Sequence, residues 1–115
     1  MDIEKIKKSI QKFSDDRNWN ESHNPKNISM ALSVEASELL EIFQWLSFEE
    51  SANLPKEKYE HVKQEVADVA IYLIRMCMKL DINLEDAINE KMILNEKKYP
   101  LVDENGKKIQ YGKKL

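Results

Sequence analysis

Two pairs of carboxylates stand out in this chain. Glu35 with Glu38, and Glu65 with Asp68, are each three residues apart inside a run that is otherwise almost wholly apolar and helix-compatible. At ~100° per residue, positions i and i+3 share a helix face, so each pair turns two oxygens toward the same neighbour. Anionic oxygens among apolar neighbours need a compensating charge or they take up a proton. A divalent cation supplies that charge, and a hard ion such as Mg²⁺ keeps coordination positions open for water and phosphate oxygens. One such pair says little, because Asp and Glu make up 21 of the 115 residues. Glu57 and Glu60, set among Lys56, Lys58, Tyr59 and His61, read as a solvated face. Two pairs on two apolar helices carry more, since they converge if the helices pack antiparallel. The alternative is two unrelated helix edges whose acids meet cations from a neighbour.

The elements that would hold these groups are helices. The first runs from about Asp2 to Asp16, with Ile3, Ile6, Ile10 and Phe13 at helical spacing. A polar loop containing Trp19 and His23 follows, and Pro25 or its neighbours open a second helix that continues to about Trp45. Ser47-Phe48-Glu49-Glu50 reads as a capping box for a short turn. Pro55 opens a third helix to about Leu80; from Val66 onward it is apolar nearly all round, which predicts a central, buried element. Asn83 or Asp81 caps a fourth helix, Leu84 to Lys98, with Ala87, Ile88, Met92 and Ile93 on its inner side. No stretch sustains strand alternation. The reading is an all-α chain: a four-helix bundle over residues 1–100 and a C-terminal tail over 101–115. The tail carries Lys107, Lys108, Lys113 and Lys114 and is expected to fray, the other reading being a strap over a neighbouring subunit's site.

Composition bounds the rest. A chain of 115 residues with 42% hydrophobic content supports one domain with a core. Helices apolar on more than one side would leave surface uncovered in a monomer, which predicts a homodimer or homotetramer. The net charge of −3 argues against binding a nucleic acid polymer. Cys77, between Met76 and Met78, reads as a buried hydrophobe rather than a nucleophile and fits a reducing compartment. The apolar run from Val69 to Ile74 falls far short of the ~20 residues a membrane span needs, so no membrane partner and a cytoplasmic location are expected.

The donor set narrows the metal. Carboxylate-bridged iron bundles use Glu-x-x-His, but His61 precedes Glu65 by four residues and His23 lies in a loop. Oxygen ligation favours Mg²⁺ or Mn²⁺. A cation so held grips polyphosphate, and the chemistry that follows is metal-assisted hydrolysis of a phosphoanhydride.

Glu35-x-x-Glu38 followed by Glu65-x-x-Asp68 resembles the signature of the all-α, MazG-like nucleoside triphosphate pyrophosphohydrolases, the dCTP pyrophosphatase branch in particular. The resemblance extends from about residue 10 to Pro100. It takes in Arg17-Asn18-Trp19, His23 through Asn27, Leu39 through Trp45, Asp68 through Leu73, and Lys91-Met92 through Asn95 to Tyr99-Pro100. It implies a Mg²⁺-dependent enzyme that cuts a ribo- or deoxyribonucleoside triphosphate between the α and β phosphates, giving the monophosphate and pyrophosphate. Carried over by position, it makes Glu35, Glu38, Glu65 and Asp68 the metal ligands and places Trp19 and Trp45 around the base. The loop from Trp19 to His23 would close over the nucleotide, with His23 and Tyr72 touching it and Lys91 and Asn95 reaching phosphate or sugar. The chain departs from the vertebrate members of that branch at Ile10, where they carry a histidine. That change bears on base selectivity, and dCTP or a 5-substituted dCTP is the leading substrate. Against this stand plainer readings: Trp45 and Tyr72 as core aromatics, His23 as a loop-bonding residue, Lys91 and Asn95 as a solvated face. For the whole chain, the rival is a non-catalytic helical module that senses nucleotides or binds a protein.

Overall fold

The computed structural model describes residues 1–111. Five helices follow one another: α1 (Ile3–Asp16), α2 (Pro25–Phe43), α3 (Phe48–Ala52), α4 (Lys56–Leu80) and α5 (Leu84–Lys98). Among the described residues the only β pairing is one isolated bridge, Val102 with Lys108, so the all-α reading holds. The four long helices lie where the apolar periodicity puts them, and α3 is the short turn announced by its capping box. The chain divides into two compact units, residues 1–82 and the chain from Asn83 onward.

Each boundary has a local cause. Asn24 Oδ1 accepts the Asn27 N–H at 2.9 Å and caps α2, whose first residue, Pro25, has no N–H to leave unpaired. Phe43 ends α2 two residues short of Trp45, because Ser47 starts α3 almost at once. The Ser47 N–H donates to Glu50 Oε1 at 2.9 Å, and the Glu50 N–H donates to Ser47 Oγ at 3.1 Å. Asp81, one of two candidate caps for α5, instead closes α4: it is left-handed (φ 54°, ψ 46°), and its N–H returns to the Cys77 carbonyl. Asn83 caps α5, accepting the Asp86 N–H at 3.0 Å.

In the first unit α4 packs against α2 and against α1. Ile28, Ile74 and Cys77 are its buried hydrophobic residues, with Ser14, Glu65 and Arg75 buried beside them. The expectation that α4 is covered all round does not hold, because Val66, Ile71, Leu73 and Leu80 are 40 to 51% exposed. Within its unit α4 packs chiefly against α2 and, less, α1, and these apolar positions stay substantially exposed. Among the described residues no helix is long and apolar enough to cross a membrane.

The second unit joins α5 to a closed turn. Asp103 Oδ1 accepts the N–H groups of Asn105 and Lys107, each at 2.9 Å, while Gly106 takes the positive φ of 76° that a side chain would resist. Tyr111 donates to the Pro100 carbonyl at 2.9 Å and sets its ring edge-on to Tyr99 at 5.2 Å. Through Tyr111 the tail is therefore a hydrogen-bonded loop rather than the frayed end expected; Lys113 and Lys114 lie outside the described residues. Ile88, Met92 and Ile93, predicted to face inward on α5, are each more than half exposed.

The cap of α2 gives a direct test of this local logic. Asn24→Ala should destabilise the protein by about 1 kcal/mol in denaturant unfolding; an unchanged midpoint would show that the cap contributes nothing.

Candidate functional site

Packing of α2 on α4 brings the carboxylates together. Oxygens of Glu35, Glu38 and Glu65 all lie within 4.8 Å of one another. Glu38 and Glu65 border one open cleft, with Glu41, Ile42, Lys58 and His61, whereas Glu35 and Asp68 border a separate cavity. That crossed pairing is what antiparallel helices produce. Asp68 stands outside the three-carboxylate group.

The cluster is electrostatically unfinished. Glu35 Oε2 and Glu65 Oε2 are buried and have no hydrogen-bond partner, although the other Glu65 oxygen lies 3.4 Å from His61 Nε2. Burial first, then a hydrogen bond shared with the Glu38 carboxyl, then the Glu38, Asp68 and Glu65 charges push the Glu35 carboxyl up to about 7. Orphaned anionic oxygens converging from two helices are what a hard divalent cation fits. Glu35, Glu38 and Glu65 are the residues that can hold it, with Asp68 beside them.

The cavity next to the cluster has a volume of about 340 Å³ and is lined chiefly by apolar and aromatic groups, including Ile10, Phe13, Trp19, Ile71 and Tyr72. Such a volume lies at the small end of the range for sites that take organic ligands, roughly 300–1,000 Å³. Trp19 stands edge-on to Phe13 at 5.5 Å and 5.6 Å from the His23 ring, which in turn lies 6.4 Å from Tyr72. Burial, Glu35 and Asp68 together raise the Tyr72 pKa, so its phenol stays protonated beside the acids. Ile10, the point of departure from the resembling branch, is one of the lining residues.

The polar wall of the cavity was not foreseen. Arg75, 1% exposed, donates Nε–H to His23 Nδ1 at 3.2 Å, an Nη1 hydrogen to Gln11 Oε1 at 2.7 Å and an Nη2 hydrogen to Asn20 Oδ1 at 2.8 Å. The two amides pass the contact on to Asp15, donating to its Oδ1 at 2.8 Å from Gln11 and 2.6 Å from Asn20. Those two bonds hold the Asp15 carboxyl below its usual value. Burial, followed by the Arg75 and Lys79 charges, lowers the His23 pKa and keeps the imidazole neutral. One signal was available: Arg75 follows Asp68 and Tyr72 at helical spacing, i, i+4 and i+7, inside an apolar run.

Of the other predicted residues, Trp45 is not brought to the cavity of its own chain. It follows the end of α2, 88% exposed, because α2 stops before it. Lys91 and Asn95 lie one turn apart on α5 in the second unit, Lys91 exposed and Asn95 half-buried.

Comparison with known proteins adds an independent line. Residues 30–113 match the MazG-like family model. The dCTP pyrophosphatase 1 of Mus musculus is 34% identical over 112 residues, covering 95% of this chain and 65% of that protein. The Homo sapiens counterpart is 33% identical over 101 residues, covering 85% of this chain and 59% of its own length. The chain thus spans less than two-thirds of these curated relatives. Among solved structures, a pyrophosphatase from Archaeoglobus fulgidus DSM 4304 superposes with a TM-score of 0.81 at 40% identity, covering 87% of this chain and 94% of that one.

The Glu35 shift has a measurable consequence. Its folded pKa lies above the unfolded value, so its contribution to stability is fully present below about 4.5 and lost as pH rises through about 7. In chelator, thermal unfolding of the wild type should therefore fall across that window, Glu35→Gln should flatten the fall, and added Mg²⁺ should reverse it. Wild-type and Glu35→Gln profiles of equal slope would remove the repulsion from the account.

Proposed function

The chain belongs to the MazG-like family, and from that premise we propose that it hydrolyses a ribo- or deoxyribonucleoside triphosphate to the monophosphate and pyrophosphate with Mg²⁺, or Mn²⁺ in its place. The observation that carries this reading is the pair of buried, partnerless oxygens, Glu35 Oε2 and Glu65 Oε2, at the edge of an aromatic cavity. A purely structural cluster would satisfy them within the protein. When bound, the cation supplies charge neutralisation to the phosphate oxygens and acidity to water.

The residues divide the remaining work. Glu35, Glu38 and Glu65 hold the cation, and Asp68 completes the acidic rim on the cavity side. Trp19 and Tyr72 offer the base aromatic surface, while Phe13, Ile71 and Ile10 exclude water around it. His23 contacts the nucleotide; Lys91 and Asn95 take up phosphate or sugar. The names of the dCTP pyrophosphatase relatives support dCTP as substrate, and a 5-substituted dCTP rests on the resemblance alone. Ile10 gives the base no hydrogen bond where the vertebrate members of the resembling branch carry a histidine, so discrimination falls to the remaining lining, His23 and Tyr72 among it, and to the shape of the cavity. A buried, free Cys77 fits a reducing cytoplasm.

The working protein is a homodimer or homotetramer. Val34, Leu40, Trp45, Phe48, Val66 and Leu80 are each 51% exposed or more, a surface that a second copy would cover. Trp45 then serves a base pocket from a second copy, since its own chain does not carry it there.

Two experiments test this reading. Pyrophosphate release, measured nucleotide by nucleotide, should require Mg²⁺ and should fall by about two orders of magnitude or more in Glu38→Ala with helical content unchanged. Activity of that variant within a few-fold of wild type would reject the carboxylate assignment, and no product from any nucleotide would favour a binding module. Sedimentation should give a mass of two or four chains; a stable monomer would reject the assembly and with it the role of Trp45.

A further inference from the structure

Arg75 is a buried cation that no step of the hydrolysis uses. It lines the cavity on the same face of α4 as Asp68 and Tyr72, yet every hydrogen bond it makes runs away from the acids, to α1 and to the loop between α1 and α2. Its three acceptors are fixed by chemistry. A guanidinium only donates, so Gln11 and Asn20 must each turn a carbonyl oxygen to it and an amide nitrogen to Asp15, as they do. The same constraint governs His23. The Nε–H of Arg75 aimed at Nδ1 requires a lone pair there, and a proton on Nδ1 would set two donors against each other at 3.2 Å. A neutral ring with a bare Nδ1 carries its proton on Nε2.

We propose that Arg75 is a positioning residue that locks His23 in the Nε2–H tautomer, so that this wall of the cavity presents a hydrogen-bond donor and selects a nucleobase edge bearing an acceptor, a carbonyl oxygen or an unprotonated ring nitrogen. The ligand half of this rests on the nucleotide reading of the cavity; the tautomer half does not. Burial and the nearby Arg75 charge both oppose imidazolium, which would offer a second proton with nowhere to go. Elsewhere in the lining Ile10, Phe13 and Ile71 bring no hydrogen-bonding group, Glu35 and Asp68 are acids, and Ser9, Ser14, Trp19 and Tyr72 bring a hydroxyl or an indole N–H. The loop backbone that carries the ring is itself tied down, because the His23 backbone N–H donates to the Trp19 carbonyl at 3.0 Å and the Trp19 backbone N–H donates to the Ser14 carbonyl at 3.0 Å. Arg75 therefore sets both where the loop lies and which atom of the imidazole is polarised toward a ligand.

The test reads the proton directly. In histidine-labelled full-length protein without metal or nucleotide, nitrogen NMR should show His23 protonated at Nε2 and bare at Nδ1, with His61→Gln separating the two histidines. Arg75→Met should abolish that preference and raise KM for the best nucleotide by roughly tenfold, leaving kcat within about threefold. His23→Leu should raise KM by a similar factor. His23→Gln, whose amide can accept from Arg75 and donate to the base, should recover to within about threefold of wild type. A ring protonated at Nδ1, a tautomer indifferent to Arg75→Met, or a His23→Leu protein with wild-type KM would each overturn the proposal. Should Arg75→Met fail to fold, the wild-type tautomer and the two His23 variants decide. Should the wild type turn over no nucleotide, the hydrolase reading falls by itself; the ligand half is then read from the His23 Nε2 signal on adding deoxycytidine monophosphate, a shift supporting it and an unmoved signal overturning it.

Discussion

Like charge pressed together at the seam between α2 and α4 is the constraint around which the first unit is built. Apolar packing of the two helices carries Glu35, Glu38 and Glu65 into one another's reach, and burial denies one oxygen of Glu35 and one of Glu65 the water that would screen them, while Glu38 is not buried. The cost is visible in Glu35, whose carboxyl holds a proton up to about 7. A helix pair that only needed to pack would place apolar side chains at these positions and be the more stable for it. Keeping acids there makes the fold answerable to whatever cation arrives, so metal binding and folding stability draw on the same few oxygens.

Another part of the cavity lining is organised by a cation. Arg75 is nearly as deeply enclosed as Ile28, and its charge is balanced not by a direct ion pair but through two amides that lead to Asp15 on the surface. The cavity thus lies between an anionic end and a cationic wall, with aromatic rings between.

Much of this was legible in the sequence, and the parts that were not share a cause. Apolar spacing and caps set α1, α2, α4 and α5 to within a residue or two, since those signals are local: Asn24, Ser47 and Asn83 act on groups three residues away. The carboxylate pairs were readable because their chemistry is costly wherever they fold. Arg75 was passed over because its partners, Gln11, Asn20 and His23, lie more than fifty residues upstream, and its helical spacing from Asp68 and Tyr72 does not name them. The cover over α4 was overestimated because an all-round apolar helix does not say how many neighbours one chain supplies. The closed turn at Asp103 to Tyr111 was hidden by its charged composition, which also describes a solvated end.

The two tryptophans stand in unlike surroundings: Trp19 sits among Phe13, His23 and the cavity, whereas Trp45 is almost wholly in solvent. Their emission should therefore separate by colour, the red component belonging to Trp45 and the blue to Trp19. One indole answers to events inside the cavity and the other to coverage of the outer surface. The chain thus carries, without any label, two optical probes that tell filling of the site apart from association of copies.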